Sequence, residues 1–358
     1  SEHGACAGVR QGTGGGVAGS ASHPAANPTV RAVEEGVAAR EGAEDAIICT
    51  SGMSACTMVF LTYLSAGDHL VIFHDVYGAN YKVSLILERL GVQVTWLDAS
   101  GGDDIRGSLR PNTRMIFCET PSNPLCKIVD IAGLAAAARA VGAMLVVDNT
   151  FATSYHQKPL ALGADLVVHS ATKAMGGHND LMAGAIAGKK EFYDQLWFTR
   201  QAIGTTLDPH SASLLERGLK TFDLRARAMA DNAMAMAEFL AGHPKVTRLF
   251  YPGLASDPGY KVAARQMSRG FGGMMAFDVG ADIEQAKTFI NHLKRIYHAV
   301  SLGATETLVC IPYLTTMLYL PPERRLTFGV RTSTVRLSAG IEPADMLVAD
   351  LRQALEAV

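Results

Sequence analysis

The sequence predicts an α/β fold, with a mostly parallel sheet in a large domain and a smaller C-terminal α+β domain. Three observations predict it. Short apolar runs alternate regularly with helix-period segments from Asn27 onward. The runs HLVIFHD, RMIFCET, AMLVVDNT and DLVVHSATK are apolar at successive positions, the pattern of strands buried on both faces. The length of 358 residues is that of about two domains.

The elements follow in order. Residues 1–26 are rich in Gly, Ala and Ser without a clear period and read as an irregular arm. Residues 28–42 read as a helix with Pro28 near its start, and AIICT as a short strand. Residues 52–67 read as a helix stopped by Gly67. Strand 69–75, helix 79–91 and strand 92–98 come next, then strand 114–120, helix 131–142 and strand 143–150. DLVVHSATK and AGAIAG add two more strands. Residues 208–243 are helical in pattern. Beyond them, strands at VTRLFYPG, GGMMAFDVG, RIYHAV and TVRLSAG mix with helices at AARQMSR, IEQAKTFINHL and ADMLVADLRQALEA. The expected division is an arm over 1–26, a large domain over 27–224 and a small domain over 225–358.

Composition excludes several functions. Apolar residues make up 48% and charged residues 18%, which suits a large core and not a disordered chain. Lys+Arg of 32 against Asp+Glu of 34 gives a net charge of -2, without the basic excess of a nucleic-acid binder. No apolar run is long enough for a membrane span. The first residues lack the apolar stretch of a signal peptide and the Arg-rich pattern of a transit peptide, so a cytoplasmic protein is expected. Cys6, Cys49, Cys56, Cys118, Cys126 and Cys310 form no C-x-x-C pair and read as buried small side chains, neither disulfide framework nor zinc site. The histidines show no H-E-x-x-H spacing; His169 and His178 read as structural, and no metal is expected. Gly14, Gly16 and Gly19 make a formal G-x-G-x-x-G, but no strand precedes it, so a dinucleotide site is rejected.

Ligands of such sheets bind beyond the carboxyl ends of the strands. One buried run ends in Asp148 and the next in Ser170, Thr172 and Lys173. A lysine there is costly to desolvate unless paired or neutral, and a depressed lysine is what Schiff-base chemistry needs. Ser170 and Thr172 flank it with hydroxyls suited to a phosphate, and a carboxylate on the neighbouring strand would hold a pyridine nitrogen protonated. Each residue alone is ordinarily a cap or a solvated loop residue. Together they are the parts of a pyridoxal phosphate site. TSGMSA adds a strand-to-helix junction at Gly52 and Met53, where free N–H groups favour an anion; Ser51 also suits an ordinary N-cap.

At these residues the chain resembles the Cys/Met-metabolism family of pyridoxal phosphate enzymes, which includes cystathionine synthases and lyases, methionine γ-lyase and homoserine sulfhydrylases. The matching stretches include NPTVRAVEEGVAAREGAEDAIICTSGMSA, AGDHLVIFHDVYGANY, ETPSNPLCKIVDIAGLAAAARAVGAMLVVDNTFATSY, GADLVVHSATKAMGGHND, AVSLGATETL and VRLSAGIE. They run in family order from Asn27 to the C-terminus. The resemblance implies the transferase-like architecture called fold type I. It implies Lys173 as the Schiff-base lysine and Asp148 as partner of the pyridine nitrogen. Ser51, Gly52, Met53, Ser170 and Thr172 would form the phosphate cup. Tyr77 would stack on the cofactor ring and act as acid–base, with Asn123 near the ring hydroxyl. Arg336 would hold the substrate carboxylate. Ser301 sits in a turn whose backbone approaches lysine and substrate. A dimer of dimers with shared sites is implied.

The departures bear on substrate. Relatives carry Tyr-x-Arg shortly before Asn-Pro-Thr, reaching a neighbouring subunit's phosphate; here Ser22 and Pro24 stand at those places. IPYLTTML replaces a His-Pro-Ala-Ser-x-Thr-His-like stretch: Thr316 remains, while Tyr313 and Met317 suggest a more apolar wall. Val300 stands where cystathionine γ-lyases resemble one another in having Glu and methionine γ-lyases have an apolar residue, although Ala79 replaces a Cys frequent in the latter. The expected activity is γ-elimination, methionine γ-lyase-like. γ-Replacement, as in cystathionine γ-synthase or a homoserine sulfhydrylase, and cysteine-conjugate β-elimination stay open. So does a binding or scaffold subunit poor in cofactor, which the missing Tyr-x-Arg motivates.

Overall fold

The computed structural model describes residues 27–98, 105–318, 320, 325 and 329–358. The expected arm, its glycine motif, Cys6, Ser22 and Pro24 lie outside the described residues. The large sheet has seven strands: β1 (Asp45–Cys49), β2 (His69–Phe73), β3 (Gln93–Leu97), β4 (Thr113–Glu119), β5 (Met144–Asp148), β6 (Leu166–His169) and β7 (Gly184–Gly188). Their order is β1-β7-β6-β5-β4-β2-β3. β2 to β6 run parallel, and β7 is antiparallel to both β6 and β1. β1, β2, β6 and β7 are buried along their whole length, as their unbroken apolar runs require; β3, at the edge, is mostly half-buried.

This topology gathers the strand ends that matter. The parallel ends Glu119, Asp148 and His169 fall on one edge of the sheet. Because β7 turns back, Gly184 pairs with Cys49, so β1 also finishes at that edge and leads straight into helix α2 (Gly52–Tyr63). Helix α1 (Pro28–Glu41) starts where Asn27 Oδ1 accepts the Thr29 N–H at 2.9 Å, and ends at Gly42 with φ +71°. Helix α3 (Ala79–Arg89) follows β2. Phe60 of α2 packs on Phe117 of β4 with ring centroids 5.1 Å apart, tying the helix to the sheet beneath it.

The second sheet has order β10-β11-β12-β9-β8, built from β8 (Val246–Phe250), β9 (Met274–Val279), β10 (Tyr297–His298), β11 (Leu308–Cys310) and β12 (Thr334–Ser338). Helices Phe222–Ala241, Ile283–His292 and Ala344–Leu355 contribute to its core around Phe277, Phe289, Leu347 and Leu351. β12 pairs antiparallel with β9 and β11, and carries Arg336 at its centre.

Four local expectations need correction. Helix α2 ends at Tyr63, where Leu64 turns extended; Gly67 instead takes φ +91° in the turn before β2. RIYHAV contributes only Tyr297 and His298 to the sheet, at an exposed edge. β11 lies in TLVCIP, too short an apolar run to read as a strand. The helical stretch from 208 breaks at Thr221, between helices Pro209–Lys220 and Phe222–Ala241.

Candidate active site

A cavity of about 520 Å³ opens between the carboxyl edge of the large sheet and β12. Its wall includes Ser51, Gly52, Met53, Tyr77, Asn123, Asp148, Ser170, Thr172, Lys173, Val300, Ser301, Thr316 and Arg336, but not Tyr313 or Met317.

One end is built by the β1–α2 junction against the loop after β6. Ser51 is extended and its hydroxyl caps α2, accepting the Ser54 N–H at 3.0 Å. A Cβ on Gly52 would sit 2.7 Å from Ser170 Cβ and 2.9 Å from its Cα, so only glycine lets the helix N-terminus meet that loop. Ser170 is held by its N–H to Thr150 Oγ1 at 2.8 Å. Thr172 Oγ1 is engaged by Ala183, accepting its N–H at 3.0 Å and donating to its carbonyl at 3.1 Å.

Lys173 stands across from β12. Its Nζ donates to Ser301 Oγ at 3.4 Å. Burial first, and the Arg336 guanidinium second, push its ammonium down to about 8. A Cβ on Gly303, at φ +70°, would lie 2.7 Å from the Ala174 nitrogen, so the Ser301–Gly303 turn rests on the backbone of the lysine loop. Arg336 is buried, donating to Asn123 Oδ1 at 3.2 Å and to the Val300 carbonyl at 2.7 Å. Among the described residues these acceptors are neutral and Arg336 has no ion-pair partner, which leaves its charge for a ligand anion.

Asp148 is buried and accepts the Thr150 N–H at 2.9 Å. Burial pushes its carboxyl up, and Thr150 and His169 oppose that. His169 in turn meets Glu41 at 2.5 Å, both side chains fully shielded. His178 Nδ1 lies 2.7 Å from the Gly176 carbonyl. The described cysteines, Cys49, Cys56, Cys118, Cys126 and Cys310, are free and buried.

Sequence reasoning missed several wall residues. Glu119 ends β4 as Asp148 ends β5, a signal available from RMIFCET. Asn80 and Cys56 also line the cavity, and Met182, Leu314 and Leu318 form its outer part. The expected apolar wall is real but differently built. Tyr313 packs against the core of the second sheet, and Met317 is buried beside Leu125 and Val330; Leu314 and Leu318 take their place in the wall.

The residues present fit pyridoxal phosphate. A glycine-dependent helix N-terminus meets hydroxyl-bearing residues at one end, and a buried carboxyl lies across from a depressed lysine. The Asn80 carboxamide and the Thr316 hydroxyl are buried in the wall without a hydrogen-bond partner among the described residues, as polar groups awaiting a ligand are. Ser51, Gly52, Met53, Ser170 and Thr172 would hold the phosphate, Asp148 the ring nitrogen and Lys173 the aldehyde carbon.

Fold and cavity together define a pyridoxal phosphate-dependent enzyme of fold type I. The chain belongs to the family described as Cys/Met metabolism PLP-dependent enzyme, which it matches over residues 17–356. It is 44% identical to cystathionine gamma-lyase of Bacillus subtilis (strain 168), across 92% of this chain and 87% of that protein. It is 42% identical to L-methionine gamma-lyase of Fusobacterium nucleatum subsp. polymorphum, across 93% and 85%. Among solved structures, cystathionine gamma synthase from Xanthomonas oryzae pv. oryzae, in complex with aminoacrylate and cysteine, superposes with a TM-score of 0.90 at 38% identity, covering 93% of this chain and 86% of that one. The chain is therefore a pyridoxal phosphate enzyme of sulfur amino acid metabolism, in a group that eliminates or replaces at the β or γ carbon.

Proposed function

We propose that this enzyme is a γ-lyase for a sulfur-containing or O-activated homoserine-type amino acid with an uncharged side chain, methionine γ-lyase-like. With methionine and water it would yield 2-oxobutanoate, ammonia and methanethiol. The observation that carries the reading is the division of the cavity wall. Among the described residues its charged side chains are Lys173, Arg336, Asp148 and Glu119, all buried or half-buried. The exposed lining is Met182, Val300, Leu314 and Leu318, with Tyr77 beside them adding one phenol hydroxyl. A short thioether tail suits that wall. A second amino acid head group, as in cystathionine, finds no opposite charge there.

The chain's residues divide the work. The Arg336 fork holds the substrate carboxylate and fixes the α carbon against Lys173. Bound pyridoxal phosphate supplies an electron sink beside that carbon. Lys173 Nζ, brought down to about 8, is neutral in a useful fraction near neutral pH and takes the α proton. The Asp148 carboxylate holds the proton on the ring nitrogen. Tyr77 gives its hydroxyl proton to the departing sulfur.

Separate incubations with methionine, cystathionine, O-acetylhomoserine and cysteine test the reading. Methionine should give 2-oxobutanoate and thiol with the highest kcat/KM. A new thioether from O-acetylhomoserine plus a thiol, with no 2-oxo acid, would make the enzyme a γ-replacing transferase. Pyruvate as the main product from cystathionine or cysteine would make it a β-lyase.

A further inference from the structure

We propose that Glu119 is a positioning residue of this site: its carboxyl, at the end of β4 beside Asp148, fixes the Tyr77 loop by accepting the Tyr77 N–H. The inference rests on the reading of Tyr77 as the acid that releases the leaving group. The geometry is direct. Glu119 and Asp148 are register partners on neighbouring parallel strands, and both line the cavity. Glu119 is 3% exposed and its Oε2 accepts the Tyr77 N–H at 2.7 Å. Tyr77 precedes Gly78, which offers α3 no side-chain cap; the residue lines the cavity and is 37% exposed. The Tyr77 backbone is bonded to β4 by Glu119, and that bond sets where its side chain starts.

The surroundings decide the state in which Glu119 does this. Asp148 on β5 and Asp75 after β2 face it with like charge, and Arg336 on β12 opposes them from a greater distance than an ion pair allows. Cys56 of α2, Cys118 of β4 and Cys126 feel its charge, and burial pushes all three thiols up, so they stay neutral. Burial, then Asp148, push the Glu119 carboxyl well above the usual carboxylate range. Burial raises the Asp148 carboxyl as well, where Thr150 and His169 oppose it. Burial and Asp148 thus both favour the protonated form of Glu119, whose Oε2 accepts from the Tyr77 backbone.

Two variants of the full-length holoenzyme test this: E119Q, which keeps an acceptor without a titrating proton, and E119L, which leaves the Tyr77 N–H unpaired. The readouts are visible absorbance and circular dichroism of the bound cofactor against pH, with kcat and KM on methionine. E119Q should keep kcat within about 3-fold of wild type and the midpoint of the absorbance titration within about 0.3 pH unit. E119L should lose about 30-fold or more in kcat with KM within about 3-fold, and should change the cofactor's circular dichroism as Tyr77 moves. A wild-type kcat and dichroism spectrum in E119L would overturn the proposal. So would an E119Q midpoint displaced by about a unit or more, since a charged Glu119 would then be what the site uses. If wild-type enzyme fails on methionine, the assigned reaction falls. The spectroscopic comparison still decides the role of Glu119, and the E119Q titration decides it even if E119L does not fold.

Discussion

Replacing Lys173 by Met in the cofactor-free protein should raise its thermal stability, by an amount set by the burial of one ammonium group. Burial and Arg336 bring that ammonium down to about 8. At about 1.4 kcal/mol per tenfold change in proton affinity, the fall from 10.5 corresponds to an upper bound of about 3.5 kcal/mol. The side chain is only half-buried, so about 1–3 kcal/mol is expected. An unfolding entropy of about 2.1 cal/mol/K per residue makes each kcal/mol worth about 1.3 °C in a chain of this length. The expected rise in Tm is therefore about 1–4 °C. The sign depends on pH. The folded protein binds the lysine proton less tightly than the unfolded chain, so wild type carries the penalty in full below about pH 8. The penalty declines as pH rises toward the ordinary lysine value and is absent above it. The advantage of the variant should be full at pH 7 and shrink between about pH 8 and 10.5. Differential scanning calorimetry of stripped wild type and variant across that range measures it. Equal Tm values at pH 7, or an advantage that grows with pH, would refute the claim that Lys173 is held in an unfavourable charged state.

Three further substitutions test the other contacts. Arg336→Lys keeps the charge but loses the fork that reaches Asn123 and Val300, so KM for an amino acid substrate should rise about 10–100-fold with kcat nearly unchanged; steady-state kinetics showing an unaltered KM would remove Arg336 from carboxylate binding. Tyr77→Phe should lower kcat about 100-fold while the visible absorbance of bound cofactor persists, because the ring stays and the proton donor goes; wild-type turnover would assign the leaving-group proton elsewhere. Gly52→Ala drives a methyl into Ser170, at an overpacking cost of about 1–3 kcal/mol, so the cofactor dissociation constant measured by equilibrium dialysis should rise about 10–100-fold. Unchanged affinity would mean that the α2 N-terminus and the Ser170 loop need not touch to hold the phosphate.

What the sequence made legible is what local chemistry alone determines. Asp148 and Lys173 stand out because each interrupts an unbroken apolar run, and parallel pairing then carries both to the same edge. The β1–α2 junction is legible because Ser51 and Gly52 carry both a capping signal and a close-approach signal. Glu119 also ends an apolar run, but a strand-end glutamate gains meaning only from its register with Asp148 and from the Tyr77 N–H, both set by tertiary structure. The substrate wall was read from residue types without their directions. Residues 312–318 form a short 3₁₀ turn and loop with no period to say which side faces the cavity, so Tyr313 and Met317 were expected where Leu314 and Leu318 stand. Gly67 misled as a helix stop because α2 is ended earlier, by the extended backbone at Leu64.

The cavity places charges that the protein itself does not pair. Among the described residues, Lys173, Arg336 and Asp148 line it without an ion-pair partner. Each such group is costly when desolvated. The fold tolerates the cost because two sheets and their helices bury an extensive apolar core around the site. Substrate and cofactor together would offset them: a carboxylate would pair with Arg336, a protonated ring nitrogen would pair with Asp148, and the aldehyde would take up the Lys173 amine. The same arrangement that weakens the ligand-free protein therefore selects what enters it. An α-amino acid meets the buried charged end, and an uncharged tail meets the apolar mouth. Every increment of ligand affinity returns as stability of the folded state by mass action. Stability of the loaded protein and specificity for an amino acid head group thus have one physical origin, the unpaired charges that line the cavity.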